Sequence, residues 1–282
     1  MGRISDLVKL GRDTAYRLRT RGRDDFPSRR SLPVAVILER ALREANRIAL
    51  RHPSVIVVSL PKSGRTWLRF MLDQLSVHLD YRHPESLAPV PKAWRRKKIV
   101  YLHRDPRDVL VSLWFFEVRR LGRPRGSLSD LLASPEYGLE SLIRTNLAWK
   151  KALENSGKAL LLRYEDLHAD TAGELGRVLR FVGGRNCAEE AIAKAVEEGR
   201  FEAMRALEES GEGAGLYGEA LEPGDPSDPE TYKVRRGKAG GWRDYFAPGD
   251  IEKAQRLLDR YDYFRRMGGG SEKPSPPARP AP

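Results

Sequence analysis

The sequence predicts an α/β fold: a single domain with a central parallel sheet flanked by helices. Three observations carry this. Short apolar runs at VIVVSL (55–60), KIVYLH (98–103) and ALLLRY (159–164) have the length and composition of buried strands. Each is followed by a polar turn and then a helical pattern, and strands alternating with helices pack as a parallel sheet covered on both faces. The chain has 282 residues, enough for one sizeable core and short for two.

The elements follow in order. Residues 1–30 form a basic, polar segment, and ILERALREANRIAL (37–50) has apolar residues at helical spacing. The first strand leads through PKSGRTW into the helical run LRFMLDQL. After the second strand, Asp105 is placed to cap a helix and Pro106 suits its first position; that helix is expected to run through VLVSLWFFEVRRL. After the third strand, Tyr164-Glu165-Asp166-Leu167 reads as an acidic helix start. Residues 185–222 look helical, then loose. Residues 223–241 mix Pro, Gly and basic residues without periodicity, as a long functional loop does. DIEKAQRLLDRYDYFRRMG reads as a last helix ended by glycine. The domain is expected to span 31–267, and the low-complexity stretch 268–282 to be a disordered tail.

Composition narrows the function. The single cysteine, Cys187, excludes an intrachain disulfide and fits a reducing compartment. No run reaches the roughly 18–20 apolar residues of a membrane span. The first 25 residues have scattered charge and no apolar core of a secretory signal, so a cytoplasmic location is expected. The net charge of +12 favours anionic partners: nucleic acid, anionic membrane, polyanionic sugar or a phosphorylated cofactor. No DNA- or RNA-binding motif is present, which argues against a specific nucleic-acid partner.

The polar turns all follow strand ends, where parallel sheets bind ligands. At the first, Lys62, Ser63, Gly64, Arg65, Thr66 and Trp67 open a helix directly after a strand. Backbone N–H groups and the helix dipole there favour an anion, with Lys62 adding a point charge and the hydroxyls adding donors. The pattern lacks the first glycine of G-x-x-x-x-G-K-[ST], so it is not a Walker loop. At the second turn, Arg104 offers a planar fork of donors suited to phosphate, and Ser112 lies about two helical turns on. In the late loop, Arg235, Arg236, Gly237, Lys238 and Gly240 combine charge with close backbone approach.

These motifs resemble those of the sulfotransferases that use 3′-phosphoadenylyl sulfate (PAPS). PKSGRTW is similar to the family's P-K-[ST]-G-T-T-W loop, with Arg65 in place of a threonine. Arg104 and Ser112 stand in its R-[DN]-x-x-D-x-x-x-S pattern. Tyr164 begins a Y-E-D-[LM] segment, Phe201 matches the aromatic of S-F-x-x-M, and Arg235, Arg236 and Gly237 match R-K-G in the loop ending at Trp242. The resemblance implies a P-loop-like sulfotransferase fold. It implies that Lys62 and its loop hold the 5′-phosphosulfate, and that Arg104, Ser112 and the Arg235–Gly237 loop hold the 3′-phosphate. Trp67, Tyr164 and Phe201 would hold the adenine. PAPS would be the co-substrate, adenosine 3′,5′-bisphosphate (PAP) the product, and no metal is expected.

Sulfonate transfer needs stabilisation of the leaving bisphosphate, in-line placement and a base for the acceptor proton. Lys62 suits the first task. The resemblance implies a histidine base upstream of the second strand, which makes His83, 21 residues before Arg104, the first candidate, and a glutamate in other branches of the family, which makes Glu85 the second. The acceptor is a small molecule, lipid or carbohydrate bearing a hydroxyl or amine, walled by segments 78–97, 117–140 and 206–232. A P-loop kinase and a PAPS-binding protein without turnover are the alternatives.

Overall fold

The computed structural model describes residues 54–84, 90–91, 94, 96–154, 156–183 and 187–268. The predicted basic segment, the helix at 37–50, Glu85 and the tail beyond residue 268 lie outside the described residues.

The three predicted strands form, joined by one that was not predicted: β1 (Val55–Ser59), β2 (Asp80–Arg82), β3 (Lys98–His103) and β4 (Ala159–Arg163). The sheet order is β2-β1-β3-β4 and every pairing is parallel; Ile56 is in register with Asp80 on one side and Ile99 on the other. β2 carries three residues, none fully buried, too few to show a strand pattern in sequence. β1 and β3 are central and covered on both faces, which is why they read as unbroken apolar runs. Val55, Val57, Val100 and Leu102 pack with Leu68 and Met71 of helix α1 (Arg65–Gln74). Ile56, Val58, Ile99 and Tyr101 pack with Trp149 and Leu153. The Tyr101 and Trp149 rings stack at 5.8 Å and 9°, and burying each such apolar side chain contributes roughly 1.5–3 kcal/mol.

Chain order reverses at β1: α1 leads outward to β2, and the chain then crosses to β3 on the other side. The carboxyl ends of β1 and β3 therefore flank a crevice, where α/β sheets bind ligands. Helix α2 (Pro106–Phe115) leaves β3 as predicted, with Pro106 first and the Asp105 carboxylate accepting the Arg107 N–H. It does not continue as an α-helix through Leu121. Phe116–Arg120 form a π turn, a widening common at functional sites, and Phe116 and Glu117 join the crevice wall there.

Helix α3 (Leu139–Leu153) supplies Trp149, and α4 (Tyr164–Ala169) is the predicted acidic start after β4. Further helices include α5 (Phe201–Glu209). The predicted long loop carries a 3₁₀ turn at Pro229–Thr231, and a second, Gly241–Asp244, begins at its last residue. The predicted last helix is two, α6 (Pro248–Arg260) and α7 (Tyr263–Met267), interrupted where Asp262 takes φ 48°; aspartate enters this left-handed region more readily than most residues. Gly268, at φ 83°, ends α7 as expected.

Candidate active site

The crevice is a cavity of about 560 Å³. Its first wall is the turn after β1. Lys62 (φ 67°) and Gly64 (φ 93°) are both left-handed, which makes the turn tight and brings the start of α1 to the cavity. A Cβ on Gly64 would lie 2.5 Å from the Tyr164 ring. The Lys62 Nζ sits 4.7 Å from the Phe116 ring centroid. Burial, then Lys233 and Arg120, hold its pKa well below a lysine's ordinary value. Trp67 lines the wall and its Nε1–H donates to the Gly199 carbonyl (2.7 Å).

Arg104 joins all three predicted turns. Its Nη1 donates to the Lys62 carbonyl (3.3 Å), its Nη2 to the Lys238 carbonyl (3.0 Å), and its guanidinium lies 4.2 Å from the Tyr164 ring centroid. The late loop is tied to α2 by Asp108, whose carboxylate accepts the Gly240 and Trp242 N–H groups (2.7 and 2.9 Å). The His168 Nε2–H donates to the Gly237 carbonyl (2.8 Å), and Phe201 packs against Gly237 so closely that a Cβ there would meet its ring at 2.6 Å. Arg235 lies over the Phe115 ring (4.2 Å) and bonds Glu230 and the Tyr245 hydroxyl. Arg236 is exposed and donates to Glu230 (3.0 Å).

The cavity wall thus gathers the site residues expected from sequence except Ser63, Gly240 and Glu85. Ser63 is 1% exposed and is not part of the wall; its hydroxyl is buried without a partner. Glu85 lies outside the described residues.

His83 lines the cavity next to the end of β2, with both ring nitrogens engaged. Its Nδ1–H donates to the Ser59 carbonyl (2.8 Å), so Nε2 is bare and accepts from the Arg65 guanidinium (2.7 Å). Burial first, and Arg65 next, push the imidazole down to about 3; it is neutral at physiological pH. Burial and Arg69 bring Arg65 to about 10, still cationic.

Sequence reasoning missed Lys233, Arg120 and Glu208. Glu208 is fully buried on α5 and accepts from Arg120 (3.0 Å) and from the N–H groups of Lys233 and Val234 (2.8 Å each). Lys233 had a signal, two residues before Arg235 in the same basic loop. Glu208 had none, since one carboxylate in an acidic helix pair looks like any solvated charge.

The arrangement fits a nucleotide with more than one anionic group. The Arg104 Nε is buried without a partner, the Lys62 ammonium faces an aromatic ring, and Trp67, Tyr164 and Phe201 supply apolar faces to the same cavity. Among the described residues, no group of His, Cys, Asp and Glu is placed to hold a metal ion. A parallel sheet whose first turn, at the switch point, opens a helix onto the cavity is the arrangement in which α/β folds bind ligands. The chain belongs to the sulfotransferase family: the model of the sulfotransferase domain matches residues 83–270. It is accordingly an enzyme of sulfonate transfer, not a kinase.

Its relatives include cytosolic sulfotransferase 8 of Arabidopsis thaliana (28% identical, covering 79% of this chain and 81% of the relative) and flavonol 3-sulfotransferase of Flaveria bidentis (27%, covering 74% and 81%). Among solved structures, mouse sulfotransferase SULT7A1 complexed with PAP superposes with a TM-score of 0.60 at 19% identity, over 80% of this chain and 93% of that one. Retinol dehydratase in complex with retinol and PAP gives 0.56 at 21% identity, over 75% and 81%. At these identities the two structures show the fold.

Proposed function

We propose that this sulfotransferase takes its sulfonate from PAPS and passes it to a hydroxyl or amine of a small-molecule acceptor, without a metal, in the cytoplasm. PAPS supplies the chemistry by carrying a sulfonate on a bisphosphate leaving group. The observation that carries the reading is Arg104, a guanidinium touching all three turns with its Nε unpartnered. Arg104, Ser112, Arg235, Arg236 and Gly237 are proposed to hold the 3′-phosphate. Trp67, Tyr164 and Phe201 are proposed to hold the adenine. Lys62, the Ser63–Thr66 loop and the start of α1 meet the charge that develops on the leaving oxygen.

His83 is proposed to take the acceptor proton at Nε2, once Arg65 releases that nitrogen. The hydrogen bond from Arg65 occupies that nitrogen in the free protein. A panel of phenols, alcohols and amines with labelled PAPS tests the acceptor class: transfer to one supports the reading, and tight PAP binding with no transfer to any of them overturns it. Calorimetry with PAP and ATP tests the donor, since a 3′-phosphate site binds PAP far more tightly; equal affinities would overturn the reading.

The named acceptors of relatives, such as flavonols, belong to those proteins. The cavity wall contains Leu121, Arg123 and Leu221, within two of the segments proposed to face the acceptor. Among the described residues, no helix is long and apolar enough to cross a membrane.

A further inference from the structure

Lys233 is half-buried in the cavity wall and plays no part in the roles above. Its backbone is fixed: Glu208 accepts its N–H and that of Val234, and Glu208 is itself fully buried and paired with Arg120. The side chain leaves this anchor toward the cavity, and among the described residues its ammonium makes no hydrogen bond or ion pair. The charged groups facing it are Lys62 from the phosphate loop, Arg65 and Arg69 from α1, Arg120 from the π turn and Glu208 from α5, with neutral His83 beside β2. Of these, the only carboxylate is already satisfied by Arg120 and two N–H groups. Lys62 and Lys233 line the same cavity, and after burial Lys233 is the first charged neighbour holding the Lys62 pKa down. Cations gathered without counter-charge repel one another, and an arriving anion relieves that repulsion.

We propose that Lys233 is a second amine of the transfer centre, holding the sulfonate of the donor together with Lys62. The inference rests on the reading that the Lys62 loop takes the phosphosulfate end of PAPS. It also has a protonic consequence. Burial, then Arg65 and Arg120, bring the Lys233 amine down to about 7 in the free protein, so above neutrality it arrives partly uncharged. An anion favours its charged form, so donor binding takes up a proton, and donor affinity falls as pH rises above about 7.

The test compares PAPS with PAP, which has the same nucleotide and no sulfonate. Calorimetry on the full chain is run near pH 7 and near pH 8.5, in buffers of different ionisation enthalpy, for wild type, Lys233→Met and Lys233→Arg. Lys233→Met is expected to weaken PAPS about tenfold to hundredfold while PAP changes less than about threefold. Lys233→Arg keeps the charge, holds PAPS within a few-fold, and takes up less proton on binding than wild type, the remainder belonging to Lys62, whose pKa is also lowered. Equal losses for PAPS and PAP in Lys233→Met would overturn the inference, as would no loss for either. Should Lys233→Met fail to fold, Lys233→Arg decides alone: PAPS affinity that falls less steeply with pH than in wild type supports the proposal, and a decline parallel to wild type overturns it. A wild-type protein that binds neither ligand overturns the donor reading first, whereas one that binds both with no selective loss overturns only the role of Lys233.

Discussion

Arg104 is the residue on which the three turns converge, bonded to the Lys62 and Lys238 carbonyls and stacked on Tyr164. Arg104→Ala is expected to weaken PAP binding about tenfold to hundredfold, the loss of a charge-assisted contact, with a small change in melting temperature; calorimetry showing unchanged affinity would remove it from the 3′-phosphate site. Lys62 and His83 should separate. Lys62→Ala is expected to lose donor affinity and turnover together, because its charge is proposed to meet the donor before and during transfer. His83→Ala keeps donor affinity and loses about 10²–10⁴-fold in turnover. Because His83 is held near 3 in the free protein, kcat/KM is expected to stay level as pH falls from 7 to about 5 on account of this group; an acid limb near pH 6.5 that vanishes in His83→Ala would show an ordinary imidazole instead.

At the scale of elements, the site depends on two pieces of backbone. The turn from β1 into α1 needs Gly64 twice over, for its φ of 93° and for the Tyr164 ring lying where a Cβ would be. Gly64→Ala is expected to cost about 1–3 kcal/mol in strain alone, read as a lower urea midpoint, with PAP binding lost in step. The late loop depends on Asp108, which receives the Gly240 and Trp242 N–H groups from across the crevice. Asp108→Ala leaves those two donors unpaired. Limited proteolysis should then cut within residues 223–241 faster than in wild type, and added PAP should slow the cut; an unchanged rate would show that the loop is held by its other contacts, such as Glu208.

For the whole molecule, two histidines make stability depend on pH on the acid side. Burial pushes His83 to about 3 and His103 to about 4, both below the ordinary value of 6.5. Below that value the unfolded chain binds protons that the folded chain refuses, so stability is full above it and falls as pH drops. Each histidine contributes a slope of about 1.4 kcal/mol per pH unit, together roughly 2.7, until His103 begins to charge in the folded state. Denaturant midpoints measured at pH 7.5 and 5 should show this fall, and replacing His103 with a neutral residue that preserves folding should reduce it. A flat profile would mean that both rings reach water.

The amino-acid sequence by itself determined three of the four strands and the turns that follow them. Strands β1, β3 and β4 are contiguous apolar runs, and the cap at Asp105 and the stop at Gly268 are local backbone preferences. Lys62, Arg104 and Arg235 stand in short motifs whose chemistry is readable one residue at a time. The tertiary structure decided what depends on segments distant in the chain. β2 exists because Asp80–Arg82 borrow the edge of β1, and a three-residue strand has no pattern of its own. The π turn that brings Phe116 to Lys62, the Arg65 hydrogen bond that occupies His83, and the anchoring of Lys233 by Glu208 join residues 18 to 54 positions apart. Burial and electrostatic fields sum over neighbours in space, so the same lysine or histidine in the sequence carries no mark of whether it will be charged.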